Sequence, residues 1–185
     1  MKLFKICIFL FISFNTSLKA NLNDDLQKVF NEGGKLIFIR HGYAPGVGDP
    51  VNFNIFNCAT QRNLDNTGIQ QSKDIKEFFL KSNINIDKVL SSEWCRCKDT
   101  AYYAFKNFKT NSFLNSFYDP KFRNNKERQV MEFKKYISKW NGKKNLLLIT
   151  HYVVINELLK VSSVSGEIII SDKEFNVIGK LKSKL

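Results

Sequence analysis

The chain has 185 residues, 43% hydrophobic, 14% aromatic and 25% charged, the composition of one folded domain rather than of a collagen-like, low-complexity or disordered protein. No internal repeat is present and no apolar run reaches about eighteen residues, which argues against a solenoid and against a conventional membrane span. The formal net charge is +12, yet 24 of the 29 basic residues are lysines, scattered along the chain, and only five are arginines. A nucleic-acid binder would use more arginine for bidentate contacts, so nucleic acid is not the expected partner. The positive field suits a small anionic substrate.

Residues 1–20 have the layout of a secretory signal peptide: Lys2 and Lys5, then an apolar stretch from Ile6 to Phe14, then Leu18-Lys19-Ala20 before the chain turns acidic at Asp24 and Asp25. Cleavage after Ala20 would leave residues 21–185 as a single domain in the periplasm or outside the cell, with no stable membrane insertion. Leu36-Ile37-Phe38-Ile39 reads as a buried strand, and residues 43–62, with Pro45, Gly46, Gly48 and Pro50, as a long loop. Asp65 or Thr67 caps a helix running to about Lys81, and Lys88-Val89-Leu90 is a second strand. A helix is expected from about Cys95 to Phe108, irregular chain over 113–125, and a helix from about Lys126 to Trp140 ended by Asn141-Gly142. Leu146 to Thr150 is the clearest buried strand, followed by a helix near Val153–Leu159. Residues 166–170 and 175–179 form a final hairpin. Continuous apolar strands alternating with helices predict an α/β fold: a single-domain three-layer sandwich with a mostly parallel central sheet and helices on both faces.

Ligands of such sheets bind beyond the carboxyl ends of the strands. There the first strand delivers Arg40-His41-Gly42, the second Ser91-Ser92 through Arg96, and the third Thr150-His151. Both histidines and two of the five arginines of the chain thus fall on one edge. The chemistry this set suits is phosphoryl transfer. A neutral imidazole attacks phosphorus and forms a phosphohistidine, guanidinium groups clamp the oxygens, and a carboxylic acid protonates the leaving alkoxide. No cofactor is implied. The three cysteines and two histidines of residues 21–185 have no zinc-ligand spacing, so no metal is expected. A disulfide from Cys58 to either Cys95 or Cys97 would tie two loops near this edge and leave one thiol free.

These segments resemble, in order, the motifs of the histidine phosphatase superfamily, the phosphoglycerate mutase-like proteins. Arg40-His41-Gly42 is similar to its signature. Arg62 to Gln71 is similar to its leucine–turn–Gly–two residues–Gln segment. Ser91-Ser92 through Arg96 to Thr100-Ala101 is similar to its second-arginine segment, and Leu148 to His151 to its second-histidine strand. The resemblance covers about residues 34–170 and extends to a short exported bacterial branch, some members of which are linked to dephosphorylation of lipopolysaccharide core sugars. It implies His41 as nucleophile, with Arg40, Arg96 and His151 completing the phosphate pocket and Arg62 as a further substrate ligand or a loop anchor. The family's acid has no clear counterpart. Where mutases carry a glutamate, residues 111–125 have one acid, Asp119, and where two-domain acid phosphatases carry an aspartate after the second histidine this chain has Tyr152. Asp119, Glu167 and Glu93 remain as acid candidates, and Trp94, Tyr43 and Tyr152 as candidate pocket walls. The resemblance therefore implies a metal-independent phosphatase for a sugar phosphate, a lipopolysaccharide core phosphate or another phosphomonoester. The alternatives are a catalytically weak phosphate-binding module or a phosphoglycerate mutase-type phosphotransferase. The oligomeric state is not implied.

Overall fold

The computed structural model describes residues 24–182; the expected signal peptide, residues 1–20, lies outside the described residues. In chain order the elements are α1 (Asp24–Glu32), β1 (Leu36–Arg40), α2 (Asn66–Ser82), β2 (Ile86–Ser91), α3 (Cys95–Phe105), β3 (Lys109–Thr110), α4 (Lys126–Lys139), β4 (Asn145–Thr150), α5 (Tyr152–Leu159), β5 (Ile168–Ser171) and β6 (Val177–Leu181). Short 3₁₀ turns occupy Ser112–Leu114 and Pro120–Asn125. The sheet order is β3-β2-β4-β1-β5-β6. The pairs β1–β4, β2–β4 and β2–β3 are parallel, and β5 and β6 join antiparallel at the edge. Among the described residues no helix is long and apolar enough to cross a membrane.

The apolar runs are continuous because both sheet faces are covered, and successive side chains alternate between two cores. Leu36, Phe38, Leu146, Leu148 and Ile169 point to one core, with Phe133 and Ile137 of α4 and Val154, Ile155 and Leu158 of α5. Ile37, Ile39, Leu147, Ile149, Ile168 and Ile170 point to the other, with Phe30 of α1, Ile75 and Phe79 of α2, and Ala101 and Ala104 of α3. The fold is thus the expected three-layer sandwich. All eight residues Leu36–Ile39 and Leu146–Ile149 are fully buried, each stabilising by about 1.5–3 kcal/mol. These two strands are the rigid base from which His41 and His151 project.

Local signals set the rest. Asp65 caps α2, its carboxylate accepting from Gly68 N at 2.9 Å, and Asn83 ends the helix in the left-handed region. Two elements fall outside the sequence expectations, α1 and the two-residue β3. The expected helix from Cys95 stops at Phe105 instead of Phe108, because Lys106 takes a positive φ of 65° and caps it through its amide to Tyr102 O.

Candidate active site

Because β1, β2 and β4 run parallel, their carboxyl ends meet at one edge, in the register Arg40 opposite Thr150 and Ser91 opposite Ile149. A cavity of about 390 Å³ opens there, lined by Arg40, His41, Arg62, Arg96 and His151 among others. The imidazoles of His41 and His151 lie edge to face with centroids 5.3 Å apart, and both are almost wholly buried.

The residues beside the signature hold it in place. The Gly42 amide donates to Thr100 Oγ1 at 2.9 Å, and Thr100 Oγ1 in turn donates to Arg96 O at 2.7 Å, which joins the first motif to the second-arginine helix. The Tyr43 amide donates to Gln71 Oε1 at 2.8 Å, which explains a glutamine one turn into α2. Gly42 and Gly68 meet backbone to backbone. A Cβ on Gly42 would lie 2.5 Å from Gly68 O, and a Cβ on Gly68 would run into the Tyr43 carbonyl.

Hydrogen-bond direction fixes the state of His41. Its Nδ1 is 2.8 Å from Gly42 O, and a carbonyl only accepts, so the proton sits on Nδ1 and the lone pair on Nε2. Burial, then the Arg96 charge, pushes the pKa of His41 well below the ordinary 6.5. Burial and the Arg96 charge do the same to His151, with His41 itself contributing. At neutral pH both rings are therefore uncharged.

The arginines are held but not saturated. Arg40 Nη1 donates to Ser163 O at 2.6 Å, and its guanidinium lies 5.7 Å from the Tyr152 ring centroid. Arg62 donates from Nε to Gly48 O at 2.8 Å and from Nη1 to Ala44 O, so it stitches the 44–48 loop through backbone carbonyls while also reaching the cavity. Arg96 is clamped end-on by Asp49, with Nη1 to Oδ1 at 2.8 Å and Nη2 to Oδ2 at 3.2 Å. The Nε groups of both Arg40 and Arg96 are buried without a partner. Buried donors are costly when unmet, and the side chains that carry them both line the cavity.

Gly48-Asp49-Pro50 is part of the resemblance to the short exported branch, but the sequence assigns Asp49 no role in the site. Its signal was present: it is the one acid in residues 43–62. Besides Arg96 it accepts from Trp94 Nε1 at 3.0 Å and from the Arg62 amide at 3.0 Å. Burial raises its pKa, but the Arg96 bond and charge, with those two donors, more than offset this and leave it below the ordinary carboxylate value. Asp49 is thus an anion that organises Arg96, not a proton donor.

The acid candidates separate. Asp119 lies on the cavity wall, where its carboxylate accepts from the Lys121 amide at 3.0 Å and stands 3.9 Å from Lys121 Nζ. Glu167 is buried off the wall, its Oε2 accepting from the Val164 amide at 2.9 Å; it secures the turn under Arg40. Glu93 faces a neighbouring cavity. Trp94 is buried and stacks on Phe53 at 5.0 Å, with its edge toward His151 at 5.4 Å, while the half-exposed Tyr43 and Tyr152 stand at the mouth. The disulfide joins Cys58 to Cys95, fastening the outer loop to the start of the Arg96 helix, and Cys97 is the free, buried thiol. Among the described residues no cluster of His, Cys, Asp and Glu could hold a metal ion.

No family model and no curated protein sequence matches the chain. Solved structures do. The protein histidine phosphatase SixA complexed with tungstate is 16% identical over 80% of this chain and 97% of that one, with a TM-score of 0.55. Phosphoglycerate mutase from Thermus thermophilus is 15% identical over 80% and 98%, at a TM-score of 0.53. The mycobacterial glucosyl-3-phosphoglycerate phosphatase complexed with VO3 is 15% identical over 74% and 91%, at 0.51. The chain has the fold that these proteins share, the phosphoglycerate mutase-like fold. They are members of the superfamily that the four sequence motifs resemble.

Proposed function

We propose that this chain is an exported phosphatase that hydrolyses a phosphomonoester through a phosphohistidine on His41. The observation that carries the reading is the combination of an unprotonated Nε2 on His41 with Arg40, Arg96 and His151 lining the same cavity. Nε2 attacks phosphorus and the bond to the leaving oxygen breaks. Arg40 and Arg96 hold the phosphoryl oxygens, and His151, protonated once the dianion arrives, donates to them. Water then attacks the phosphohistidine, releasing phosphate and restoring the imidazole. Asp119 is the proposed acid for the leaving alkoxide, the carboxylate on the wall that Arg96 does not neutralise. The tyrosine-rimmed mouth suits a sugar phosphate or a lipopolysaccharide core phosphate.

A second reading has its own support: Asp119 is already engaged as the cap of the 120–125 turn. If it does not deliver a proton, the site turns over only esters with good leaving groups, or binds phosphate with little turnover. Phosphate release from an aryl phosphate and from sugar phosphates separates these outcomes. The proposed phosphatase cleaves both, the weak-acid site only the aryl ester, and a binding module neither. Because the pKa of His41 lies well below 6.5, the acid limb of kcat/KM for the aryl ester is expected below that value. A limb at or above it would contradict a neutral, buried His41.

Export rests on the pattern of residues 1–20 and is supported by the Cys58–Cys95 bond, since disulfides persist in oxidising compartments. The expected mature protein begins at Asn21, with Cys58 and Cys95 blocked to thiol reagents and Cys97 reactive only after unfolding. A reduced, full-length cytoplasmic species would remove the export part of the proposal.

A further inference from the structure

A chain of side chains behind His151 has no part in the reading given so far. The amide of Asn115 is oriented by Glu93 at both ends. Its Oδ1 accepts from the Glu93 backbone N–H at 2.9 Å, and its Nδ2 donates to Glu93 Oε2 at 2.6 Å. The backbone donor alone settles which atom is oxygen. That same Oδ1 accepts from Ser92 Oγ at 3.0 Å. The hydroxyl has one proton and spends it there, so toward His151 Nε2, 2.9 Å away, Ser92 Oγ can only accept. The buried Cys97 thiol, 3.5 Å from Nε2, can donate or accept there and follows whichever tautomer Ser92 sets. With Ser92 Oγ accepting as the nearer partner, the proton sits on Nε2 of His151. Among the described residues no protein group bonds its Nδ1.

We infer that Asn115 and Ser92 are positioning residues for His151: the chain Glu93–Asn115–Ser92 locks the His151 proton on Nε2 and leaves Nδ1 as the one nitrogen that exchanges a proton with a bound phosphoryl group. The two imidazoles are then held in opposite tautomers. His41 keeps its proton on Nδ1 and presents a nucleophile. His151 keeps its proton on Nε2 and presents a base that becomes a donor when the dianion arrives. Without the lock, both rings could adopt the same tautomer, and a Ser92 proton turned toward His151 would strip Nε2 of its hydrogen. The consequence for catalysis rests on the phosphatase reading; the tautomer itself does not.

The test is nitrogen-15 NMR of the histidine side chains in the full chain, without substrate. With only two histidines, a His41→Gln variant assigns the signals. The expected wild-type result near pH 7 is His151 as the neutral Nε2–H form. Ser92→Ala and Asn115→Leu are expected to give a mixture of tautomers. Asn115→Asp paired with Glu93→Gln, which keeps an acceptor facing Ser92 and a donor–acceptor contact between the two side chains at the same net charge, is expected to retain the lock and serves where the others fail to fold. The charged or titratable groups around His151 are Arg96, His41, Arg62, Arg40 and Cys97; none is changed by these substitutions, so a tautomer change reports the relay. In turnover of an aryl phosphate, Ser92→Ala is expected to lower kcat about ten- to hundredfold, with KM little altered. A wild-type His151 in the Nδ1–H form, or an unchanged Nε2–H form in both Ser92→Ala and Asn115→Leu, overturns the inference. If the wild type shows no phosphatase activity, the NMR result still decides the lock, and only the catalytic reading falls.

Discussion

His41→Ala is expected to lower phosphate release by about four orders of magnitude or more with every substrate. The reason is specific to the geometry. Gly42 O holds the Nδ1 proton, so the ring has one possible attacking atom and no rotation supplies another. The arginines can still gather the anion, so the variant should bind inorganic phosphate while failing to turn over. The substitution has a second, stability-linked signature. In the folded chain His41 protonates well below 6.5, whereas in the unfolded chain it protonates near 6.5. The unfolded state therefore binds more protons as the pH drops below 6.5, and the wild type loses stability there. His41→Ala removes this contribution, so between pH 6.5 and 5 its midpoint of denaturation should fall less steeply than that of the wild type. A variant retaining a tenth of wild-type turnover would exclude His41 as nucleophile.

The second large effect belongs to Asp49. Its pair with Arg96 is buried, with side chains 9% and 4% exposed. Removing one partner of such a pair leaves an uncompensated charge, which costs about 3–5 kcal/mol. Here the orphaned Arg96 would also face Arg40 and Arg62 with no carboxylate between them. Asp49→Ala is therefore expected to lower the melting temperature by about 10 °C. It should also raise KM more than it lowers kcat, because Arg96 loses the clamp that aims it. The pH dependence has a definite sign. The folded pKa of Asp49 lies below the ordinary 3.8, so its stabilisation is complete above that value and disappears as pH falls through the folded pKa. The gap between wild type and Asp49→Ala should close in strong acid. Equal melting temperatures at pH 7 would show that the pair contributes no net stability.

The parts legible in the sequence are those that local pattern dictates. The runs Leu36–Ile39 and Leu146–Ile149 had to be strands covered on both faces, and residues that directly follow parallel strands had to share an edge. His41 and His151 could therefore be brought together from sequence alone. Asp65 marked its helix because an N-cap acts within three residues. The two-residue β3 carries no such pattern, being defined only by its pairing with the end of β2. Neither the partner of Arg96 nor the partner of Ser92 was legible. Asp49 is 47 residues from Arg96 and Asn115 is 23 from Ser92; both lie in irregular chain whose path is set by tertiary contacts. Glu167 shows the converse. Its position after Ser165-Gly166 invited a chemical role, but its carboxylate closes a turn.

The back-to-back contact of Gly42 and Gly68 has an implication for how this architecture can diversify. The floor of the cavity meets α2 main chain against main chain at Gly42 and Gly68, braced by the Gln71 side chain on the Tyr43 amide. The outer wall, residues 43–62, is fastened differently: by the Cys58–Cys95 bond, by the Asp49 carboxylate on Arg96 and Trp94, and by Gln61 Oε1, which accepts from the Cys95 amide. Substrate choice and the aim of Arg96 thus share one loop, whereas the two imidazoles are set by the strands beneath it. A grafted loop of another length, anchored at the same cysteine, could change what enters the cavity, provided that it keeps a carboxylate at the place of Asp49.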